Sequence, residues 1–401
     1  MKKLFTLLAL TITFSMNAQM TDNSSGTLAT GDYSVAMGSD TTASGYASTA
    51  MGNTTNAIAS NSTAMGITTE ASGTGSTAMG WQTKAIGARS TAIGYKSEAQ
   101  GVNSIAMGYL TIASGEQSTA MGAYSEASEY SSVAMGENTT ASGENSTAMG
   151  EASQAIGENS TAMGEGTTAS GYGSTAMGDA TQAIGENSTA MGLTTIASGY
   201  VATAIGRSST AIGTASAAMG VSTTASDYGS LVIGQYNSAG SSVTTDQQSL
   251  MFNTQNTAFV IGNGTENNRS DAFMVMFNGD ATLAGNLSVN SDARLKSNII
   301  SLGSTMSKLL EIDGKSYIMK RDENKEPKIG LLAQDIEKVF PELVSESNGI
   351  KSVNYQGLVP VLINALKEQD VKMKEQQMEI ESLRDQEKRI DRLEKLVAQL
   401  D

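Results

Sequence analysis

From residue 27 to residue 235 the chain alternates small polar, variable and small apolar positions with a period that does not slip. Ala stands at every seventh position from Ala29 to Ala225, and two residues before each Ala stands Ser or Thr, Ala202 being the departure. Two residues after each Ala comes a glycine site. In one series, 38 to 234, it is always Gly; in the other, 31 to 227, Ala59, Glu129 and Asp227 replace it. The unit is [ST]-x-A-x-G-x-x. Its alternation has the period of a strand, and Gly at this frequency would cost a helix about 1 kcal/mol per site. The pattern predicts strands of about five residues separated by two-residue turns led by Gly, which supplies positive φ. Two such units make a 14-residue coil, and coils stacked about 4.8 Å apart build a rod of roughly 70 Å. No Pro occurs from Met20 to Val260, so every amide there can join a ladder. The Met or Ile before Gly in one series predicts a face that buries larger apolar groups.

The pattern changes twice after residue 240. Across 241–290, short apolar runs separated by Asn-Gly and Gly-Asn dipeptides predict a hairpin stem, and Phe252, Phe259, Phe273 and Phe277 return the rings the repeats lack. From Ser291 the spacing becomes helical. Leu332, Ile336 and Val339 predict a helix over 332–339, stopped by Pro341. From Val359 the core-phase positions run 359, 362, 366, 369, 373, 376, 380 and 383, then, after a three-residue step to 386, 390, 393, 397 and 400. This is a heptad seam with a stammer, carrying Gln369, Gln376 and Gln386, and it predicts a trimerising coiled coil.

Composition narrows the chemistry. The 401 residues include no Cys and no His, which removes the usual ligands and nucleophiles of zinc, haem, iron–sulfur and thiol chemistry and any Ser-His-Asp triad. No cofactor is expected. The repeat region is acidic and disfavours nucleic acid, whereas the tail is charge-rich and nearly balanced. A coil lined with Ala, Ser and Thr buries little apolar area, so association with copies of itself through the Met/Ile rows is expected, three being natural for a rod with a central axis. Lys2 and Lys3 precede an apolar run, Leu4 to Phe14, with Ala18-Gln19 beyond. Residues 1–19 read as a secretory signal, the run being too short to span a bilayer. A secreted or surface-exposed bacterial protein without a membrane span follows. A calcium roll would need Asp at fixed turn positions, which this repeat lacks; ordering of water by the Ser/Thr rows is a further, weaker reading. The Asn-Ser-Thr triplets at Asn61, Asn145, Asn159 and Asn187 arise from the repeat itself.

"NSTAMGEASQAIGENSTAMG" resembles the head repeats of trimeric autotransporter adhesins over residues 27–240. The resemblance implies a left-handed parallel β-roll homotrimer that binds extracellular matrix proteins or surface glycans. It does not extend to that family's β-barrel anchor.

"NSDARLKSNI" raises the only catalytic question. With no His, a nucleophilic Ser291 would need a Lys or carboxylate base, and an amine serves only where burial depresses its pKa. As a bare spacing, Ser291 and Lys296 say little. Together with "KIGLLAQDIEKVFPELV" and "VNYQGLVPVLINALKEQ", however, the segment resembles, in order and spacing, the C-terminal intramolecular chaperone of phage endosialidases and tail spikes. That family trimerises its passenger and then cuts itself off with a Ser–Lys dyad. The resemblance implies Ser291 as nucleophile beside the scissile bond and Lys296 as general base. Asp292 and Arg294 would set local geometry; Gly330, Gln334, Asp335 and Glu337 would serve packing and contacts between subunits.

The expected chain is therefore mainly β: signal 1–19, parallel β-roll 20–240, stem 241–290, self-cleaving chaperone 291–358 and coiled coil 359–401. Its expected function is a trimeric fibrous adhesin, or alternatively a purely structural fibre, with one self-cleavage and no multi-turnover activity.

Overall fold

The computed structural model describes residues 20–21, 25–238, 240, 251–320 and 325–399. The expected leader lies outside them. The chain forms two units, divided between Leu287 and Ser288.

In the first unit each coil contains a five-residue strand, such as Thr147–Glu151, and a two-residue strand, such as Gln154–Ala155. Coils stack in parallel and in register, Ala148 between Ala134 and Ala162, Gly150 between Gly136 and Gly164. The result is a parallel β-solenoid of 14-residue coils with a long-strand sheet and a 15-stranded short-strand sheet. Two equal five-residue strands were expected, and the second is shorter for a local reason. Gly150, at φ +114°, lets the long strand continue past its Ala. After Ala155, by contrast, the amides of Ile156 and Gly157 both donate to the Ala169 carbonyl, at 2.8 and 3.2 Å, and Ser160 closes a turn on Gly157.

The glycines of the other series, Gly31 to Gly213, do a different job from the one the turn pattern suggests, having no positive φ. A Cβ on Gly157 would lie 2.1 Å from the carbonyl oxygen of Gly171 in the next coil, so this series serves close approach of successive coils. The left-handed corners fall two residues later and hold mostly other residues, including Asn145 (φ 54°), Ala152 (φ 51°) and Asn159 (φ 58°). Asn tolerates this region best among non-glycine residues, which explains the Asn-Ser-Thr triplets. Val201 occupies the same corner at φ 55°, where a β-branched residue is strained. Val201→Asn should therefore stabilise the roll by about 1 kcal/mol, measured by urea unfolding; a destabilised variant would contradict this.

The interior consists of methyl and hydroxyl groups. The ladder alanines from Ala36 to Ala225 are fully buried, flanked by buried Ser and Thr. Ser153 donates to the Gly164 carbonyl at 2.9 Å, and Thr167 donates to Ser153 at 2.9 Å. The Met row points outward, Met149 and Met163 remaining half-buried. The larger apolar groups are thus not buried within the chain.

The stem completes the long-strand sheet. Strand β1 (Thr257–Asn263) pairs in parallel with Leu231–Gln235, then β2 (Asp271–Met276) and β3 (Ala281–Leu283) follow antiparallel. Asp227, where the glycine series breaks, accepts from the Thr257 amide at 2.7 Å and hydroxyl at 2.6 Å. The Asn237 side chain bonds both the amide and the carbonyl of Thr224, at 2.7 and 2.9 Å, as a further strand would.

Among its described residues the second unit has two antiparallel strand pairs, β4–β5 (Lys315–Ile318, Pro327–Gly330) and β6–β7 (Val344–Ser347, Ile350–Val353), and the α-helices α1 (Met306–Leu309), α2 (Ala333–Val339) and α3 (Leu358–Val397). Ile336, Val339, Phe340 and Val361 form its core. Helix α3 runs unbroken through the stammer. Its buried residues are Leu358, Val361 and Ala365, whereas Val359, Leu362, Leu366, Met373, Ile380, Leu383, Ile390, Leu393 and Val397 of the heptad seam are exposed. Two faces have separated: one packs within the chain, the other is unpartnered. Among the described residues no helix is long and apolar enough to cross a membrane.

Candidate functional site

Ser291 and Lys296 flank a single 3-10 turn, Ala293–Leu295. Asp292 caps it, its carboxylate accepting from the Arg294 amide at 2.9 Å and from the Arg294 guanidinium at 2.6 to 3.1 Å. The side-chain hydrogen bond with Arg294, reinforced by the backbone one, holds the Asp292 carboxyl below its usual range and raises Arg294. The turn closes with the Lys296 amide donating to the Ala293 carbonyl at 3.1 Å. This folding-back brings the lysine over the serine: Nζ donates to Ser291 Oγ at 2.7 Å and to the Ser291 carbonyl at 3.1 Å. The distance suits proton transfer in either direction. Both residues are exposed, so a single chain does not supply the burial an amine base needs.

The residues of the second motif lie elsewhere in the unit, and no hydrogen bond or ion pair joins them to the dyad among the described residues. Gly330 ends β5 beneath Tyr355, where a Cβ would meet the phenol oxygen at 2.8 Å; that oxygen accepts from the Leu331 amide at 2.9 Å. On α2, Asp335 pairs with Lys338 at 2.9 Å and is lowered by that hydrogen bond. Glu337 pairs with Lys351, whose pKa it raises. Gln334 is exposed. Geometry thus gives Gly330 a packing role and ties α2 to the β6–β7 hairpin through Glu337.

One contact was not legible in the pattern. Glu368 of α3 accepts from the Ser304 hydroxyl at 2.6 Å and from the amides of Thr305 and Met306 at 2.5 and 3.3 Å; Thr305 also donates to the Val361 carbonyl at 2.9 Å. It anchors the segment leading from the dyad onto the long helix. In sequence Glu368 reads as a solvated charge between seam positions, and its Ser-Thr partners stand 64 and 63 residues away. The Ser304 hydrogen bond, followed by that of the Thr305 amide, lowers its pKa. A carboxylate lowered by folding contributes above its unfolded pKa and loses the contribution as pH falls through the folded value. The Thr305 and Met306 amide resonances should therefore titrate with a midpoint below that of an ordinary Glu carboxyl. A midpoint at or above the ordinary Glu value would contradict the clamp.

Comparison with known proteins agrees with this division. The YadA head domain repeat matches ten segments between residues 29 and 237, together just over half the chain, and the chaperone of endosialidase matches residues 291–345. The long tail fiber protein Gp37 of Escherichia phage AR1 is 29% identical over 97 residues, covering 22% of this chain and 9% of that protein. Its counterpart from Salmonella phage S16 is 28% identical over 126 residues, covering 29% of this chain and 17% of the relative. The chain spans less than a fifth of the length of these curated relatives.

Proposed function

We propose, for a chain that belongs to the family of YadA head-domain repeat proteins, that it is a structural fibre that processes itself. The solenoid is the lasting product, and the tail from Ser291 assembles it and then leaves. The observation that carries this reading is the 2.7 Å contact of Lys296 with Ser291 inside the segment that matches the endosialidase chaperone. The relatives are described as tail fibers, which supports a structural fibre over the surface adhesin that the repeat resemblance alone implied. With residues 1–19 read as an export leader, the fibre would act outside the cell.

Three copies would meet along the exposed seam of α3 and along the Met rows of a left-handed roll, the seam forming a trimeric coiled coil. Closure of three tails would give the dyad the dry surroundings it lacks in one chain. Neutral Lys296 would then take the Ser291 hydroxyl proton, Oγ would attack the neighbouring carbonyl carbon, and the proton would pass to the departing amine. Water would hydrolyse the resulting ester. Fifteen near-identical coils can pair out of register at little cost, so a clamp that sets register before the coils zip together has a physical purpose. Sedimentation of the uncleavable Ser291→Ala chain tests the assembly: three copies are expected, and a monomer would overturn the reading.

A further inference from the structure

The residue directly after the glycine of each long strand points outward, and this row changes character along the roll. At three consecutive coils it is Trp81, Tyr95 and Tyr109, extended by Tyr124 at the next corner. Their ring centroids are 5.3, 4.9 and 5.3 Å apart: Trp81 meets Tyr95 edge to face at 88°, Tyr95 and Tyr109 stack at 9°, and Tyr124 turns across Tyr109 at 72°. Trp81 and Tyr124 are each 52% exposed. The coils from Glu137 to Asp179 stack in the same register with four carboxylates in this row instead. Coil pairing therefore does not require the rings.

Charge singles out the same coils. Between Met20 and Gly240 the cations are Lys84, Arg89, Lys96 and Arg207, against 16 carboxylates. Lys96 Nζ lies 5.3 Å from the Tyr95 ring centroid and has no carboxylate partner among the described residues; Lys84 pairs with Glu98 at 3.3 Å. Beside the ladder an open groove of about 420 Å³ is lined by Gln82, Lys84, Lys96, Glu98 and Leu110, among others.

We propose that this face binds an acidic polysaccharide lying along the solenoid axis. A sugar polymer offers what the ladder can use: apolar C–H patches for the crosswise rings, and hydroxyl and carboxylate oxygens for ring edges, phenols and lysines. Stacking of Tyr95 on Tyr109 covers one face of each ring and leaves ring edges free, and ring edges carry the positive end of the quadrupole. The platform repeats about every 4.8 Å with the coils, which suits a linear repeating ligand. The remaining acidic coils repel a polyanion and confine it to this stretch. Single-stranded nucleic acid fits less well, because the tyrosine faces are already occupied by each other and a phosphate chain would need more cations. This inference is independent of self-cleavage.

Trp81 is the only Trp of the chain, so its fluorescence reports on the site directly. In the full chain, alginate and hyaluronan should change Trp81 emission saturably, dextran much less. Tyr109→Ala should weaken the response about tenfold and Lys96→Gln about threefold, with the β circular dichroism unchanged in both. No response to either acidic polymer would overturn the proposal. So would tighter binding of oligothymidylate, or a Trp81 already shielded from acrylamide in the free protein, which would mean that a second copy covers the ladder.

Discussion

Ser291→Ala is expected to leave the chain at its full 41.5 kDa, while the parent protein splits beside Ser291 and sheds a fragment of about 12 to 13 kDa, the summed mass of the residues from Ser291 to Asp401. Lys296→Ala should do the same. No other serine is expected to stand in for Ser291, since the nearest in sequence are Ser288 and Ser297, and no hydrogen bond joins either of them to Lys296 among the described residues. No other base is expected to replace Lys296, because the chain lacks His and the Asp292 carboxylate is committed to Arg294. Removing a positioned base typically costs about 10² to 10⁴ in rate, and loss of the nucleophile at least as much. Lys296→Arg should not rescue, because a guanidinium stays protonated. Intact-mass spectrometry over a time course reads all three variants. Cleavage in both alanine variants at the parent rate would remove the dyad assignment.

Gly150→Ala is expected to cost the solenoid about 3 kcal/mol or more. Two penalties coincide at this residue. Its φ of +114° lies where L side chains are strained, and an added Cβ would stand 2.0 Å from the Gly164 carbonyl oxygen. The neighbouring coil cannot retreat, because the same contact recurs from Gly38 to Gly220. Ala152→Gly, at a corner that already tolerates Ala at φ 51°, serves as the control and should change stability by under about 1 kcal/mol. Because coils pair only with their neighbours, hydrogen exchange should rise first in coils 136–177 in the Gly150 variant. A change within about 0.5 kcal/mol in urea unfolding would contradict the close-packed glycine ladder.

The solenoid was legible because its rules are local. Ser/Thr, Ala and Gly recur in phase, and each row maps onto one ladder of the structure. What the repeat hid was the division of labour between glycines and corners. Both Gly157 and Asn159 look like turn residues, yet the first is small because another backbone passes it, and only the second turns left-handed. Distinguishing them requires the neighbouring coil, which is not visible in one copy of the repeat. Gln154–Ala155 likewise reads as part of a full strand until the shared Ala169 acceptor cuts it short.

In the second unit the helix over Ala333–Val339 followed from Ile336 and Val339, both buried, although Leu332 stays exposed at its N-cap, and the long helix followed from its heptads. The pairing of Ser291 with Lys296 could be stated from sequence only through resemblance, since a five-residue spacing has no geometry until the Asp292-capped turn folds it back. Glu368 could not be found at all, because its partners are distant in sequence and chemically ordinary. The exposed seam of α3 shows the opposite case: Val359 and Leu362 look like core residues, and in one chain they are not.

Native mass spectrometry tests directly whether the tail assembles the solenoid and then departs. The chain expressed whole should yield a trimer of solenoid chains ending beside Ser291, and the same chain lacking residues 291–401 should yield monomers or aggregates. An identical trimer formed without the tail would contradict the account.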